Sequence, residues 1–341
     1  MAFVVQFIGE YAFEQRVNEL LFAWDNDIDF EFSTSGSTGE PKRIIFTKQQ
    51  VLKSIESTVK RLDLNMGQEH IFLCLDPNYI AGAIMLLRAC YLACPITIIM
   101  PSAKPWINIS TNHPYTFASF VPLQIADNSF DEQKFARIKN VLIGGAALNS
   151  EFKNKVIAKG NNVFHTYGMT ETLTHIALMD LNNSEWYEVL ADYNVKKSAT
   201  GTLVVEAPFL SNELVTNDLV EMNDNGSFKV NGRVDFVINS GAFKVSPEKL
   251  ELKIFEWVKI NNEDYGNLLV FGKPDSNFGE TICLVTEKKL SDFAFSKLQE
   301  YLKQRLHKYE IPNNRLVFKP FLLTNSGKLN RKEIIKHLIS N

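Results

Sequence analysis

Apolar side chains recur along this chain in two alternating rhythms. After Phe46-Thr47, the residues Val51, Leu52, Ile55, Val59 and Leu62 return every three or four positions, the spacing of one helix face. Thr47, followed three residues later by Gln50, predicts a capping box at the start of that helix. Residues 71–75 predict a buried strand, 80–93 an apolar helix and 95–100 a second strand. A strand over 141–143 runs into Gly144-Gly145, and another over 163–166 ends at a predicted tight turn, Tyr167-Gly168. Further on, the runs shorten to β segments at 176–179, 202–206, 218–221 and 227–230, with Asn223-Asp224-Asn225-Gly226 as a hairpin turn. From Asp235 a compact pattern follows, with strands at 234–238, 268–271 and 281–286 and a helix over 292–306. The expectation is a mixed α/β domain over residues 1–234 and a small α+β domain over 235–341.

Composition narrows the class. The 341 residues are 45% hydrophobic and 22% charged, with 17 Gly and 12 Pro, which describes a globular chain and excludes a disordered or low-complexity one. A formal net charge of −3 gives no reason to expect a nucleic acid or an anionic membrane as partner. The longest apolar stretch, 80–100, is interrupted by Arg88 and Pro95 and falls short of a membrane span, and the first residues lack the basic start of a secretory signal. Cys74, Cys90, Cys94 and Cys283 include no CxxC pair and form no disulfide framework. Cys90 and Cys94 are read as packing residues on one helix face rather than as metal ligands. A reduced, cytoplasmic protein with small-molecule partners is expected.

The chemistry concentrates first in Ser33-Thr34-Ser35-Gly36-Ser37-Thr38-Gly39-Glu40-Pro41-Lys42. Five hydroxyls and two glycines occupy seven residues here, between the strand-like runs 30–32 and 44–46. Glycines let backbone N–H groups approach an anion, hydroxyls add donors and Lys42 adds a point charge, which together make a phosphate cradle. The GxxxxGK[ST] spacing is absent, so this is a nucleotide site of another kind.

The loop resembles the phosphate-binding signature of the adenylate-forming superfamily, the acyl-CoA synthetases and their relatives. Further segments follow in the family's order: Tyr167-Gly168-Met169-Thr170-Glu171, Thr216-Asn217-Asp218-Leu219, Gly232-Arg233-Val234-Asp235, and Thr324-Asn325-Ser326-Gly327-Lys328-Leu329-Asn330-Arg331. The resemblance implies an α/β fold of the adenylate-forming type, shortened at its N-terminal side, with residues 235–341 as a mobile lid. It implies Mg²⁺ held at Glu171, Lys328 as the catalytic lysine, Asp218 on the ribose, Arg233 on the nucleotide, and Gly144-Gly145-Ala146 beside the adenine. Ser33 to Gly39, Lys42, Tyr167, Gly168 and Thr170 complete the implied nucleotide site. Asp235 takes the hinge position, and Ser240, Gly241 and Ala242 line the implied CoA tunnel. The implied substrates are ATP, CoA and a carboxylic acid.

Softer matches point within the superfamily. The stretch from Pro77 to Arg88, Phe120-Val121-Pro122-Leu123-Gln124, and Ile238 to Glu248 are similar to segments of the o-succinylbenzoate–CoA ligases of menaquinone biosynthesis. A dicarboxylate needs one carboxyl activated and the other recognised by a cation or several donors. Tyr79, Arg88 and His175, with Gly168 and Thr170, are the candidates for that pocket. Arg88 could equally sit on a helix surface or interface, and His175 could be a core histidine on a β segment. Three departures from the family stand out. Only 32 residues precede the loop, fewer than relatives carry, so a homodimer is expected to cover the exposed surface. Tyr79 and Ala242 replace a family histidine and glycine, and Asn217 replaces the glycine before Asp218. The function expected is o-succinylbenzoate–CoA ligase. Another aryl- or acyl-CoA ligase and a non-catalytic nucleotide-binding homologue stand as alternatives.

Overall fold

The computed structural model describes residues 5–8, 14–33, 42–110, 114–146, 148, 150–207, 209–241, 243–276, 279–323 and 329–340. The chain divides into two compact units. The first comprises 1–195, 205–214 and 223–228, and the second 196–204, 215–222 and 229–341.

The first unit opens with β1 (Val5–Ile8), α1 (Glu14–Asp25) and the hairpin β2 (Phe30–Ser33) and β3 (Arg43–Phe46). Then come α2 (Lys48–Leu62), β4 (Ile71–Leu73), α3 (Ile80–Leu92), β5 (Ile96–Ile99) and β6 (Phe117–Phe120). Two short helices, α4 (Pro122–Ala126) and α5 (Glu132–Ala136), lead to β7 (Asn140–Ile143), α6 (Ser150–Val156) and β8 (Asn162–Gly168). The antiparallel strands β9 (His175–Asp180) and β10 (Glu188–Val189) follow. One eight-stranded sheet runs β1-β5-β4-β6-β7-β8-β9-β10, parallel from β1 to β8. Parallel strands are covered on both faces, which is why β4, β5 and β7 are buried at every residue.

Local signals hold where they are strongest. Thr47 Oγ1 accepts from Gln50 N at 3.3 Å while Gln50 Oε1 accepts from Thr47 N at 2.7 Å, closing the capping box. The helix expected over 80–93 stops at Leu92, because Ala93 takes a left-handed C-cap (φ 48°) and Pro95 follows. Cys94 therefore lies past the helix, and the shared helix face expected for Cys90 and Cys94 is corrected. Both remain packing thiols, each pushed up to about 12 by burial.

The later elements are β11 (Asn194–Lys197), β12 (Thr202–Glu206), β13 (Leu214–Met222) and β14 (Phe228–Arg233), which form a four-stranded sheet in that order. The Asn223–Gly226 turn joins β13 to β14, with Gly226 at φ 84°. After β15 (Ile238–Ser240), β16 (Phe243–Val245) and α7 (Pro247–Ile260) come β17 (Leu268–Asp275), β18 (Gly279–Thr286), α8 (Asp292–Lys303), β19 (Asn314–Val317) and α9 (Arg331–Ser340). Strand alternation splits this unit's core in two. Leu268 and Val270 pack with Ile254 and Leu298, while Leu269 and Phe271 pack with Ile334 and Phe321. Two expectations are corrected here. Residues 234–236 form a 3₁₀ turn and the strand begins only at Ile238, and the helix from Asp292 ends at Lys303.

Candidate functional site

In a parallel sheet, ligands meet the carboxyl ends of the strands. Three of the sequence-predicted segments stand there. Pro77 to Tyr79 follows β4, Gly144-Gly145-Ala146 follows β7, and Thr170-Glu171 follows β8. Ser33 ends β2 and Lys42 precedes β3, with Ser33 and Arg43 paired in register, so the phosphate-loop segment leaves and re-enters at one end of the hairpin. Thr34, Ser35, Gly36, Ser37, Thr38 and Gly39 lie outside the described residues, as do Ala242 and Lys328.

The glycine of the Tyr-Gly-x-Thr-Glu segment has a packing cause. Strand β8 continues through Tyr167 and Gly168 instead of turning there, and Gly168 pairs with His175 across a register shift. A Cβ on Gly168 would sit 2.2 Å from Thr174 O and 2.5 Å from the His175 Cα. The chain then makes a 3₁₀ turn at Thr170–Thr172, where Thr172 Oγ1 accepts from Met169 N at 3.0 Å. Leu173, fully buried, adopts φ 67° and ψ −63°, and Thr174 N bonds Thr172 O at 2.8 Å. That is a strained γ-turn, set between the magnesium-site candidate and the acid-site candidate.

Glu171 is half-buried on the 3₁₀ turn. Among the described residues no group of three or more His, Cys, Asp or Glu side chains could hold a metal ion. One carboxylate is nonetheless a fitting donor for Mg²⁺, which is commonly bound by one or two carboxylates together with substrate phosphates.

His175, which pairs with Gly168, and Arg88 are two of the residues expected at the acid site. The structure buries Arg88 at 2% exposure, so it is no surface arginine. Its Nη2 donates to Thr58 Oγ1 at 3.5 Å and its Nη1 to Met85 Sδ at 3.3 Å. The guanidinium lies 5.2 Å from the Phe117 ring centroid, and Nε has no hydrogen-bond partner. Burial pulls its pKa down to about 10, so it stays charged at neutral pH. Thr58 Oγ1 is also 2.9 Å from His175 Nε2, and His175 Nδ1 is 2.9 Å from Thr174 Oγ1. Burial, and then the charge of Arg88, pushes His175 down to about 3 and keeps it neutral. Tyr79 is not part of this cluster. It N-caps α3 nine residues before Arg88, about 13 Å away along the axis at 1.5 Å per residue.

The second unit carries a charged trio. Arg233 donates from Nη1 to Asp218 Oδ1 at 3.0 Å, and from Nε and Nη2 to Asp235 Oδ1 and Oδ2 at 3.0 and 3.2 Å. Burial alone would lower the Arg233 pKa, but the bonds and charges of Asp235 and Asp218 raise it. Gly232 adopts φ 112°, a conformation that strains any residue with a Cβ, and a Cβ there would also displace Ser246 Oγ at 2.5 Å and Glu248 Oε2 at 2.7 Å. Ser240 ends β15 buried, and Gly241 begins the turn into β16 at φ 61°.

Three sets of contacts escape sequence reading because the residues that make them are remote in the chain. Thr58 bridges 30 residues to Arg88 and 117 to His175. His165 and Tyr187, 22 residues apart, meet at 2.6 Å beside Ala146. Glu251 and Arg331 pair across 80 residues. Arg331, the last residue of the C-terminal signature, is the one of these that the sequence pattern singles out.

Known proteins were compared with this chain by sequence and by structure. The sequence pattern of the family described as AMP-binding enzyme matches residues 24–207. The 2-succinylbenzoate–CoA ligase of Listeria monocytogenes is 24% identical over 355 aligned positions, covering 93% of this chain and 72% of that protein. A solved acyl-CoA synthetase (AMP-forming)/AMP-acid ligase II-like protein from Dyadobacter fermentans is 29% identical, with a TM-score of 0.62 over 97% of this chain and 95% of the other. The o-succinylbenzoate coenzyme A synthetase of Bacillus subtilis, solved with ATP and a magnesium ion, shares the fold at a TM-score of 0.73 and 23% identity. That match covers 89% of this chain and 69% of the other.

Proposed function

We propose that this chain, which belongs to the AMP-binding enzyme family, is an ATP- and Mg²⁺-dependent acid–CoA ligase that activates o-succinylbenzoate. The observation that carries the choice of acid is Arg88, a buried guanidinium with no carboxylate partner among the described residues. An uncompensated buried cation is costly, and a substrate carboxylate directed toward it would supply the missing charge. A dicarboxylic acid has one carboxylate to spare for that role. Two of the relatives named above carry that acid in their names.

The reaction has two halves. A substrate carboxylate oxygen forms a bond to the α-phosphorus of ATP, and the bond from that phosphorus to the bridging oxygen breaks, releasing pyrophosphate. A thiolate then attacks the acyl carbon of the mixed anhydride, and AMP leaves with the bonding electrons. Mg²⁺, when bound, neutralises charge on the phosphate oxygens. Glu171 would hold it. Asp218 would accept the ribose hydroxyls, Arg233 would orient Asp218, and Lys328 would stabilise the charge developing between carboxylate and α-phosphate. Residues from 235 onward would act as the mobile lid, with the 3₁₀ turn at Val234–Phe236 as the hinge.

Pyrophosphate release with Mg·ATP, measured with o-succinylbenzoate, benzoate, a coumarate and a medium-chain fatty acid, each with and without CoA, tests the reading. CoA-requiring turnover confined to o-succinylbenzoate is expected. Turnover with another acid would keep the reaction and discard the substrate, and ATP binding without pyrophosphate release would favour a non-catalytic nucleotide binder. Lys328→Ala should abolish adenylate formation yet spare thioester formation from supplied acyl-adenylate. Equal loss in both halves would remove that lysine from its role. Arg88→Ala should raise KM for the dicarboxylate far more than for benzoate.

A further inference from the structure

We infer that His165, locked by Tyr187, is a positioning residue that aims the Ala146 carbonyl at the purine of the bound nucleotide. The inference rests on the reading of Gly144–Ala146 as the adenine-lining stretch. His165 lies on β8, buried at 7% exposure, with both ring nitrogens engaged. Nε2 is 2.9 Å from Ala146 O and Nδ1 is 2.6 Å from the Tyr187 hydroxyl.

The chemistry fixes the direction of both bonds. A carbonyl oxygen only accepts, so Nε2 carries the proton and donates to Ala146. Nδ1 is then the acceptor, and the Tyr187 hydroxyl donates to it. Burial lowers the His165 pKa, which keeps the ring in this neutral form. Tyr187 is itself anchored. Its backbone exchanges two hydrogen bonds with Phe228, at 2.8 and 3.1 Å, and its ring stacks on Phe228 at 5.4 Å. Tyr167 packs edge-on against Phe228 at 5.1 Å. The tautomer of His165 is thus set from a rigid aromatic group.

The stretch it holds needs holding. Gly144 N bonds Phe120 O at 3.0 Å, but Gly145 takes φ 92° and Gly145 and Ala146 are exposed. A backbone turn made of two glycines and an alanine carries no side-chain anchor of its own. The Ala146 carbonyl has two lone pairs and His165 occupies one. Among the described residues no other side chain bonds this oxygen, and the second lone pair can accept from the ligand side. The exocyclic amine of adenine donates at C6, whereas guanine presents a carbonyl oxygen there and would face like against like. The relay therefore predicts selectivity for ATP over GTP, and a role in that selectivity for a residue that touches neither nucleotide.

The experiment is calorimetric titration of the full chain with ATP and with GTP, both as magnesium complexes. Wild type should prefer ATP. His165→Phe should weaken ATP binding about tenfold, the effect of losing one well-made hydrogen bond, and leave GTP within about twofold. Tyr187→Phe removes one hydroxyl without disturbing the stack and should weaken ATP about threefold. His165→Gln, whose amide can still donate to Ala146, should recover most of the loss. Equal weakening of ATP and GTP in the His165 and Tyr187 variants would make the pair merely structural and overturn the inference. Wild-type preference with unchanged variants would overturn the relay and leave the nucleotide site standing. A wild-type chain that binds neither nucleotide would overturn the site reading and the inference together.

Discussion

Arg331, in the second unit, meets Glu251 through two 2.7 Å bonds and donates to Val270 O at 2.9 Å, with both ion-pair side chains 11% exposed. Arg88, in the first unit, is more deeply buried and meets a hydroxyl, a thioether and a ring face. Burial pulls on both guanidinium groups. Glu251 more than restores the pKa of Arg331, whereas that of Arg88 stays lowered to about 10. The difference separates two uses of a buried cation. Arg331 joins α9 to α7 and β17 and is complete as it stands. Arg88 is a charge whose electrostatic partner is not among the described residues, the condition expected of a group that waits for an anionic ligand.

The comparison breaks first on stability. Glu251→Leu leaves Arg331 buried and unpaired and should cost about 3–5 kcal/mol in urea unfolding. A cost below about 1 kcal/mol would mean that the pair contributes as little as a surface one. His175 gives the next effect. Its folded pKa of about 3 lies below the ordinary 6.5, so the unfolded chain binds the extra proton throughout that window. Its contribution is therefore complete above pH 6.5 and lost as pH falls, by about 1.4 kcal/mol per unit. Unfolding free energies of wild type and His175→Gln, compared at pH 4 to 7, should diverge with that slope. Arg88→Met sharpens the contrast with the smallest effect. It should leave stability unchanged or raise it by about 1 kcal/mol, since an apolar side chain of similar volume replaces an uncompensated charge. The same variant should shift the His175 titration upward, because one of the two causes of its lowering is gone. A loss as large as that of Glu251→Leu would put the two arginines in one class.

How much of this the sequence carries depends on reach. The Thr47–Gln50 box spans three residues and is legible as written. So are the Asn223–Gly226 turn and the glycine-bearing segments, whose side chains or backbone requirements are local. Residues 234–238 show the limit. Val234, Phe236 and Ile238 alternate as a strand would, yet Val234 is exposed and the Phe236 ring lies 5.3 Å from the Arg331 guanidinium. Three residues of period two do not separate a strand from a 3₁₀ turn. The partners of Arg88 are beyond reach for another reason. Its apolar flanks point to a buried helix, but what meets the guanidinium is set only when Thr58, Phe117 and His175 arrive from three other elements.

The crowding at Gly168 bears on what a sequence match is worth. A side chain there collides with the backbone of the neighbouring strand whether or not any nucleotide is ever bound. Gly82 is held likewise, since a Cβ would lie 2.4 Å from the backbone oxygen of Asp76, and Gly232 is held by its own backbone, at φ 112°. A descendant of this chain that had lost its chemistry would still be obliged to keep all three, while Glu171 could drift freely. Glycines in such signatures therefore testify to ancestry and shape, and the charged residues beside them testify to activity. A tally that weighs every matched letter alike overstates the second kind of testimony with the first.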